Sequence, residues 1–313
     1  FDGRRITIRD NVSGEGPHDW VRANELVATL TRPVNFSRGA DAGTIEVAEV
    51  ACRGGVHLDH RTVDDRGQTS HERAKLETIT INQQTGALSG AGPGWIRSVR
   101  LSDGSNPLEK IAGGQASDAA PAAESVSKLN LLELHFQGGV AGNLKSRRIE
   151  FQRRVRAVYG PVIAWEQQLP LTPRGAMAPD TATLSCDRLQ VAEDPLGRFQ
   201  PQTVAAPADG SRLGPLELIA QGGVQLEGAA EGGGSFNARA AQASYSQLKE
   251  LFVLRGDSSS RATLWVQKAP GEGTLKHTSG KVSYWRKTGV VQTENFGATG
   301  YTPTAGRTQP APR

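Results

Sequence analysis

Short segments in which apolar and polar residues alternate recur along the whole chain, and this alternation limits the possible folds most. Residues 76–82 read Leu-Glu-Thr-Ile-Thr-Ile-Asn, and residues 281–285 show the same period of two. Runs of about four to eight such residues, bounded by Gly, Pro, Asn or Asp, are typical of half-buried β-strands. Residues 115–128 are the best helix candidate, but Pro121 and many small residues favour a linker there. The alternation therefore predicts an all-β fold of repeated antiparallel strands.

The composition is that of a turn-rich β protein. The 313 residues include 37 Gly and 17 Pro, which is high for a helical protein. The longest strictly apolar runs have four residues, as in 251–254, whereas a membrane-spanning helix needs about 20. We therefore expect no transmembrane helix. The first residue is Phe1 and the chain has one Met, so we expect a trimmed or mature piece, with any signal peptide or membrane anchor outside it.

Charge and cysteine content leave the partner class open. The chain has 36 Lys and Arg against 32 Asp and Glu, a net charge of +4, and so mild an excess selects neither nucleic acid nor anionic lipid. Cys52 and Cys186 are far apart and form no Cys-x-x-Cys motif, so no metal or redox site is predicted. Whether the two cysteines pair depends on a geometry that the sequence does not give.

A short motif is repeated along the chain. The step Gly-Gly-Val occurs at 54–56, 138–140 and 222–224, and successive copies are 84 residues apart (138 − 54 and 222 − 138). Asn11-Val12 begins a more degenerate copy. Repeated strand units stack on their neighbours because one unit cannot bury its own apolar face. We therefore predict a first repeat block at 1–101, a linker or long loop at 102–128, a second block at 129–300 and a flexible Pro-rich tail at 301–313.

The last third of the chain carries the sharpest copy. After Gly222-Gly223-Val224 comes a strand that contains Ala241 and Tyr245, and then a return strand that ends in Gly256-Asp257. This order resembles the OstA-like (LptA-like) proteins of lipopolysaccharide transport, in which a Gly-Asn-Val step, an Ala…Tyr strand and a return strand ending in Gly follow one another. The gaps at 170–179 and 194–215 are longer than in ordinary members. The resemblance therefore implies a divergent member, of which this chain is a segment.

The resemblance implies a fold and a function. The fold is a β-taco or β-jellyroll, a folded-over sheet with solenoid-like stacking whose two leaves enclose an apolar groove. The function is that of a non-enzymatic periplasmic bridge protein without a cofactor, which binds lipopolysaccharide or a similar glycolipid and passes it toward the outer membrane during its biogenesis. Like β-taco domains, including copies of this chain, are the implied protein partners through pairing of strand edges. Nucleic acid is not a predicted partner.

Apolar residues of the alternating strands are the predicted groove lining. Alternation gives each strand one apolar and one polar face, and an apolar face offers an acyl chain about 0.8 kcal/mol per buried CH₂. An ordinary packed core explains the same alternation, and only the cavity volume separates the two interpretations. The residues assigned to the lining are Ile79, Ile81, Leu134, Phe136, Ile149, Phe151, Phe252, Leu254, Leu264, Val266, Val282 and Tyr284.

A basic cluster is a weaker candidate for contact with a lipid head group. Arg147, Arg148, Arg153 and Arg154 lie close together in the sequence, and arginine binds phosphate well. The solvated face of two strands explains the same cluster, and no interleaved aromatic residues support nucleic-acid binding.

The run His57-Leu58-Asp59-His60 is the most site-like group. On a strand, His57 and Asp59 share one face and His60 points to the other, so no metal site is predicted. The sequence contains no serine-hydrolase, phosphate-loop or zinc-protease motif. Three alternatives to the bridge protein stay open: a structural β-solenoid of the cell envelope, a carbohydrate-binding envelope protein and, least favoured, a β-helical enzyme that degrades polysaccharide.

Overall fold

The computed structural model describes residues 3–34, 46–64, 67–101, 129–172, 177–194, 216–229, 234–246, 248–285 and 290–302. Within these residues the chain forms β-strands and no helix. The strands are β1 (Arg5–Glu15), β2 (Asp19–Leu30), β3 (Val47–Asp64), β4 (Gly67–Asn82), β5 (Ala87–Ala91), β6 (Gly94–Leu101), β7 (Leu129–Phe136), β8 (Gly139–Asn143), β9 (Arg148–Val162), β10 (Ala182–Glu193), β11 (Leu216–Ala229), β12 (Ser235–Ser246), β13 (Leu251–Arg255), β14 (Ala262–Gln267), β15 (Thr274–Trp285) and β16 (Val290–Thr302).

The strands belong to one antiparallel sheet, which confirms the all-β fold class. The ladders follow chain order from β1 to β4 and from β9 to β12. Between β4 and β9 the sheet divides: β5 and β8 pair with one half of each long strand, and β6 and β7 pair with the other half. The β5–β8 and β6–β7 ladders therefore join the two predicted repeat blocks. The predicted linker at 102–128 and residues 303–313 of the predicted tail lie outside the described residues.

A corner crosses the long strands and folds the sheet into two leaves. At this corner four strands each have two consecutive residues with positive φ, a conformation that costs an L side chain energy. Each pair lies at a shift in ladder register, and each is followed by a valine. The pairs are Asp10-Asn11, Gly54-Gly55, Arg153-Arg154 and Gly222-Gly223. Two of the three Gly-Gly-Val steps are therefore corners of the sheet, and the third lies where the chain passes from β7 to β8.

The register shifts define the two leaves. Leaf 1 consists of residues 5–9, 25–30, 47–53, 78–82, 87–91, 139–143, 148–152, 188–193, 216–221, 242–246, 251–255, 281–285 and 290–294. Leaf 2 consists of residues 12–15, 19–23, 56–64, 67–76, 94–101, 129–136, 155–162, 182–186, 224–229, 235–240, 262–267, 274–279 and 296–302. We call the strand ends farthest from the corner the margin of each leaf.

The hydrophobic core lies between the leaves. Phe136 of leaf 2 contacts Phe151 of leaf 1, with 5.5 Å between the ring centroids. Both rings belong to the main cluster, which extends to Leu254 and Val282 near the C-terminal end of the sheet. A smaller cluster at the N-terminal end consists of Ala23, Cys52, Val56 and Ile79. The two clusters are the apolar inner faces that the alternation predicts.

Candidate functional site

All twelve residues of the predicted groove lining face the space between the leaves. Ile79 and Ile81 belong to the N-terminal cluster. Phe252 stacks on Tyr245 with 4.5 Å between the ring centroids, and it lines the same cavity as Leu254. The other nine belong to the main cluster or pack on it: Leu134, Phe136, Ile149, Phe151, Leu254, Leu264, Val266, Val282 and Tyr284. Their contact with lipid stays a prediction.

Side chains nearly fill the interior at the C-terminal end. An apolar cavity between the leaves has a volume of about 20 Å³ and is lined by Leu226, Phe236, Phe252, Leu264 and Tyr284 among others. That volume is about what one water molecule needs. An acyl chain therefore enters this part only if side chains or a leaf move outward.

The inner face is open to solvent at the N-terminal end. β1 pairs only with β2 among the described strands, so it is an edge strand. Ile8 lies opposite Leu26 of the inner face, and its side chain is 48% exposed. Ile6, two residues earlier on the same face, is 36% exposed. We call this exposed end, formed by Ile6, Ile8 and Leu26, the apolar mouth. Apolar surface of the inner face is therefore accessible to solvent at this end of the sheet.

The inner face of leaf 2 changes from apolar at the corner to polar at the margin. In β3 the inward residues from the corner are Val56, Leu58, His60 and Thr62. The same change ends at Asp19 in β2, at Ser70 and Glu72 in β4, and at Ser98 and Arg100 in β6. This part of the sheet therefore combines an apolar floor with a polar margin.

The polar margin is hydrogen-bonded from strand to strand. His60 Nδ1 lies 2.6 Å from Asp19 Oδ1, and His60 Nε2 lies 3.5 Å from the Thr62 hydroxyl. The Ser70 hydroxyl donates to Thr62 Oγ1 at 3.0 Å, and Arg100 pairs with Glu72. A carboxylate, an imidazole and a hydroxyl occur in this order in hydrolases. Here the His60–Thr62 distance is long and His60 and Asp19 are largely exposed, 48% and 69%, which suits a solvated polar surface.

The outward-facing residues of the His57–His60 run follow the predicted alternation. Asp59 Oδ2 lies 2.9 Å from Nε2 of His71, on the opposite face from His60. Arg61 approaches the other carboxylate oxygen of Asp59 at 3.4 Å. In the part of the chain that the structure describes, no three His, Cys, Asp or Glu residues are grouped to hold a metal ion, and no helix is long and apolar enough to cross a membrane.

The four arginines of the basic cluster are not brought together. Arg147 pairs with Glu193 at 3.2 Å, and Arg148 donates to Gln190; both arginines lie at the margin of leaf 1. Arg153 and Arg154 lie five positions farther along β9, at the corner, which is about 17 Å away along an extended strand. Arg147 and Arg148 therefore lie together at the margin of leaf 1, apart from Arg153 and Arg154 at the corner, and contact of any of the four with a head group stays a prediction.

The connection after β9 covers part of the outer face of leaf 2, which the sequence did not reveal. We call residues 163–172 the strap. Arg97, 4% exposed, donates to the backbone carbonyls of Trp165 and Gln167, and Glu166 pairs with Arg73 at 2.8 Å. Trp165 and Leu169 of the strap pack on a third apolar cluster, formed by Val99, Leu129, Leu131 and Val162.

Both cysteines are free thiols in separate places. Cys52 belongs to the N-terminal cluster and Cys186 to the main cluster. Burial raises the pKa of Cys52 above its ordinary value, and burial raises the pKa of Cys186 to about 12. Both are therefore protonated, unreactive core residues at neutral pH.

Comparison with solved structures finds LptH from Pseudomonas aeruginosa, described as the LptA-homologous periplasmic component of the conserved lipopolysaccharide transport device. The match covers 58% of this chain and 90% of LptH, with 13% sequence identity and a TM-score of 0.32. No protein-family model matches the sequence, and no curated protein matches it. The function is therefore inferred below from the residues and geometry of the chain itself.

Proposed function

We propose that this protein binds a glycolipid of the lipopolysaccharide type between its two leaves and passes it across the periplasm toward the outer membrane, without catalysing a reaction. The observation that carries the proposal is the apolar mouth, because it leads into a lining of inward apolar residues that continues through both core clusters. The residue pattern shared with the OstA-like proteins supports the same function.

The acyl chains would enter at the apolar mouth. Ile6 and Ile8 already face solvent, so a hydrocarbon chain that covers them gains apolar burial without displacing a packed side chain. Farther along, Leu58 is only half-buried, whereas Leu254 is 2% exposed. Lipid therefore reaches the N-terminal half first, and further movement requires the leaves to separate at their margins.

The head group would stay at the polar margins. Arg100, His60 and Asp19 lie on the inner margin of leaf 2, and Arg147 and Arg148 lie at the margin of leaf 1. The guanidinium groups of Arg100, Arg147 and Arg148 at these margins suit phosphate groups of a glycolipid. The corner arginines, Arg153 and Arg154, would instead hold the fold.

Transfer needs a second groove at one end of the sheet. β1 and β16 are the terminal strands, and each has one described neighbour, β2 and β15, respectively. A like β-taco domain, or another copy of this chain, would extend the sheet by pairing with such an edge. A membrane anchor outside this chain is compatible with the same arrangement.

A structural role is the second candidate. The filled C-terminal interior, with its cavity of about 20 Å³, is what a load-carrying β-solenoid of the envelope needs. In such a protein a stacked neighbour at the β1 edge would cover Ile6 and Ile8, and no lipid would bind there. The experiment below separates the two functions.

The test compares two substitutions at neighbouring positions of β1. Ile8→Asp places a charge in the apolar mouth, and Thr7→Asp places the same charge on the opposite, exposed face. Each protein is purified from an envelope that contains lipopolysaccharide, and the bound glycolipid is measured by native mass spectrometry and lipid extraction. Ile8 is about half exposed, so its full burial by lipid is worth about 1 kcal/mol, and we expect Ile8→Asp to retain about fivefold less glycolipid.

The Thr7→Asp protein should retain as much glycolipid as the unaltered chain. Circular dichroism controls for folding, which both exposed positions should tolerate. A lipid-free unaltered protein that takes up no added lipopolysaccharide would contradict the transport function, and the structural candidate would then lead. Equal retention by the two variants would contradict entry at the apolar mouth.

A further inference from the structure

We propose that a cleft at the margin of leaf 2, formed by β11, β12, β14 and β15, is a binding site for an anionic saccharide. The cleft has a volume of about 590 Å³, in the range of small-molecule sites. It lies at the opposite end of the sheet from the apolar mouth. The inference rests on the proposed function only in taking a glycolipid head group as the source of the saccharide.

Three side chains line the cleft in one row across the sheet. Asn237 lies opposite Glu227 in the β11–β12 ladder and opposite Trp265 in the β12–β14 ladder. Neighbours of this kind share one face of a sheet and lie close together. Residues far apart in the sequence therefore present a carboxylate, an amide and an indole ring to the same space.

The polar groups of the cleft are held in place by hydrogen bonds. Asn237 Nδ2 donates to Glu227 Oε1 at 3.1 Å. The Ser235 hydroxyl donates to Gln267 Oε1 at 3.3 Å, and Gln267 Nε2 donates to the carbonyl of Glu272 at 2.8 Å. A carboxylate has several acceptor sites, and an amide has both donor and acceptor sites, so sugar hydroxyls can add to these bonds without breaking them. A set of fixed donors and acceptors beside an aromatic ring suits a polyhydroxylated ligand.

Cations beside the indole ring indicate the charge of the ligand. The guanidinium carbon of Arg239 lies 5.9 Å from the centre of the Trp265 ring, and Lys276 Nζ lies 5.6 Å from it. Neither cation lines the cleft, which contains the carboxylate of Glu227, but both lie beside its Trp265 side, where they attract an anionic group held near the ring. A sugar ring packs its C–H face on an indole, so a saccharide with phosphate or carboxylate groups satisfies both features.

Phe236 connects the cleft to the apolar interior. Its side chain lines the cleft and also lines the 20 Å³ cavity between the leaves. An amphipathic ligand can therefore keep its sugar in the cleft while its hydrocarbon part meets the interior across Phe236. A free anionic glycan offers the same sugar chemistry, so the experiment distinguishes these two sources.

The test measures binding of a lipid-free probe to the full chain by isothermal titration calorimetry. The probe is the phosphorylated core oligosaccharide released from lipopolysaccharide. Trp265→Ala removes the ring from the cleft, and Trp20→Ala is the matched control, a 37% exposed tryptophan on β2 at the other end of leaf 2. We expect Trp265→Ala to raise the Kd about fivefold or more, the effect of losing one aromatic contact, and Trp20→Ala to leave it unchanged.

Three results would overturn the proposal: no binding of the oligosaccharide by the unaltered protein, equal affinity of the two tryptophan variants, or equal affinity for a neutral oligosaccharide of the same length. Asn237→Ala gives a second test, because it keeps the ring and removes the amide, and unchanged affinity there would also count against the site. Uptake of intact lipopolysaccharide is measured separately. Oligosaccharide binding without lipid uptake supports a cleft that binds a free glycan and contradicts the bridge function. Lipid uptake without oligosaccharide binding contradicts the saccharide site and supports the bridge function.

Discussion

The glycine pairs at the corner allow a direct test of how the sheet is folded over. Gly54 and Gly55 both have positive φ, 79° and 82°. A Cβ at Gly54 would lie 2.7 Å from the Cβ of Asn24 on β2, whereas a Cβ at Gly55 would have no atom within 4 Å. The two alanine substitutions therefore share the backbone strain and differ in one steric contact.

The expected costs follow from these two contributions. An L residue in the left-handed region costs about 1–2 kcal/mol, and the loss of glycine's freedom in the unfolded chain returns about 0.4–1 kcal/mol. Gly55→Ala should therefore destabilise the protein by no more than about 1.6 kcal/mol. Gly54→Ala adds an overlap with a Cβ that cannot rotate away, which costs about 1–3 kcal/mol more.

The assay is equilibrium unfolding in urea followed by circular dichroism. We expect the free energy of unfolding to decrease from the unaltered chain to Gly55→Ala and further to Gly54→Ala, with the larger decrease between the two variants. Adding Asn24→Gly removes the opposing Cβ and should recover most of the loss. Equal destabilisation by Gly54→Ala and Gly55→Ala, or no recovery with Asn24→Gly, would refute the steric explanation.

Two further predictions concern ionisable groups. A thiol reagent at pH 8 should modify neither Cys52 nor Cys186 until urea unfolds the chain. Rapid modification of the folded protein would contradict this expectation. Burial raises the pKa of Cys186 to about 12 from its ordinary 9.0. The stability that this shift contributes is therefore present below pH 9.0 and is lost as the pH rises toward 12. The carboxylate of Asp257 accepts hydrogen bonds from the hydroxyls and backbone N–H groups of Ser259 and Ser260, and these bonds, led by the Ser259 hydroxyl, hold its pKa at about 2. The contribution of Asp257 to stability is present above pH 3.8, its ordinary pKa, and is lost as the pH falls toward 2. An NMR titration of Asp257 with a midpoint near 3.8 would refute the lowered pKa.

The period-two pattern predicted the strands well because burial in a folded-over sheet depends on which face a residue occupies. Ile149 and Phe151, separated by Glu150, both point between the leaves. The pattern did not predict how far apart the two leaves lie. Whether Phe136 and Phe151 touch or leave a groove depends on the distance between leaves, which no local sequence signal sets.

The corner and the cleft were harder to predict. The pair Gly54-Gly55 is a clear sequence signal for a left-handed conformation. Arg153-Arg154 adopts the same conformation although arginine, unlike glycine, does not favour it. The sequence feature that the two pairs share is the valine that follows each of them. The cleft at the margin of leaf 2 depends on ladder register, which places Trp265 beside Asn237. Alternation says that both residues face outward, but it does not say which residue lies opposite which.

The order of the ladders also determines how cooperative this chain is. Each strand exchanges hydrogen bonds with near neighbours along one axis, and no ladder links β1 or β2 with β14, β15 or β16 among the described strands. The molecule therefore behaves as a one-dimensional array with nearest-neighbour coupling, in which the free energy is approximately a sum of unit and interface terms. Fraying should begin at β1, where every residue except Val12 is exposed, and decrease toward the interleaved strands between β4 and β9. The end at which we propose that a ligand enters is thus also the end that opens at the lowest energetic cost.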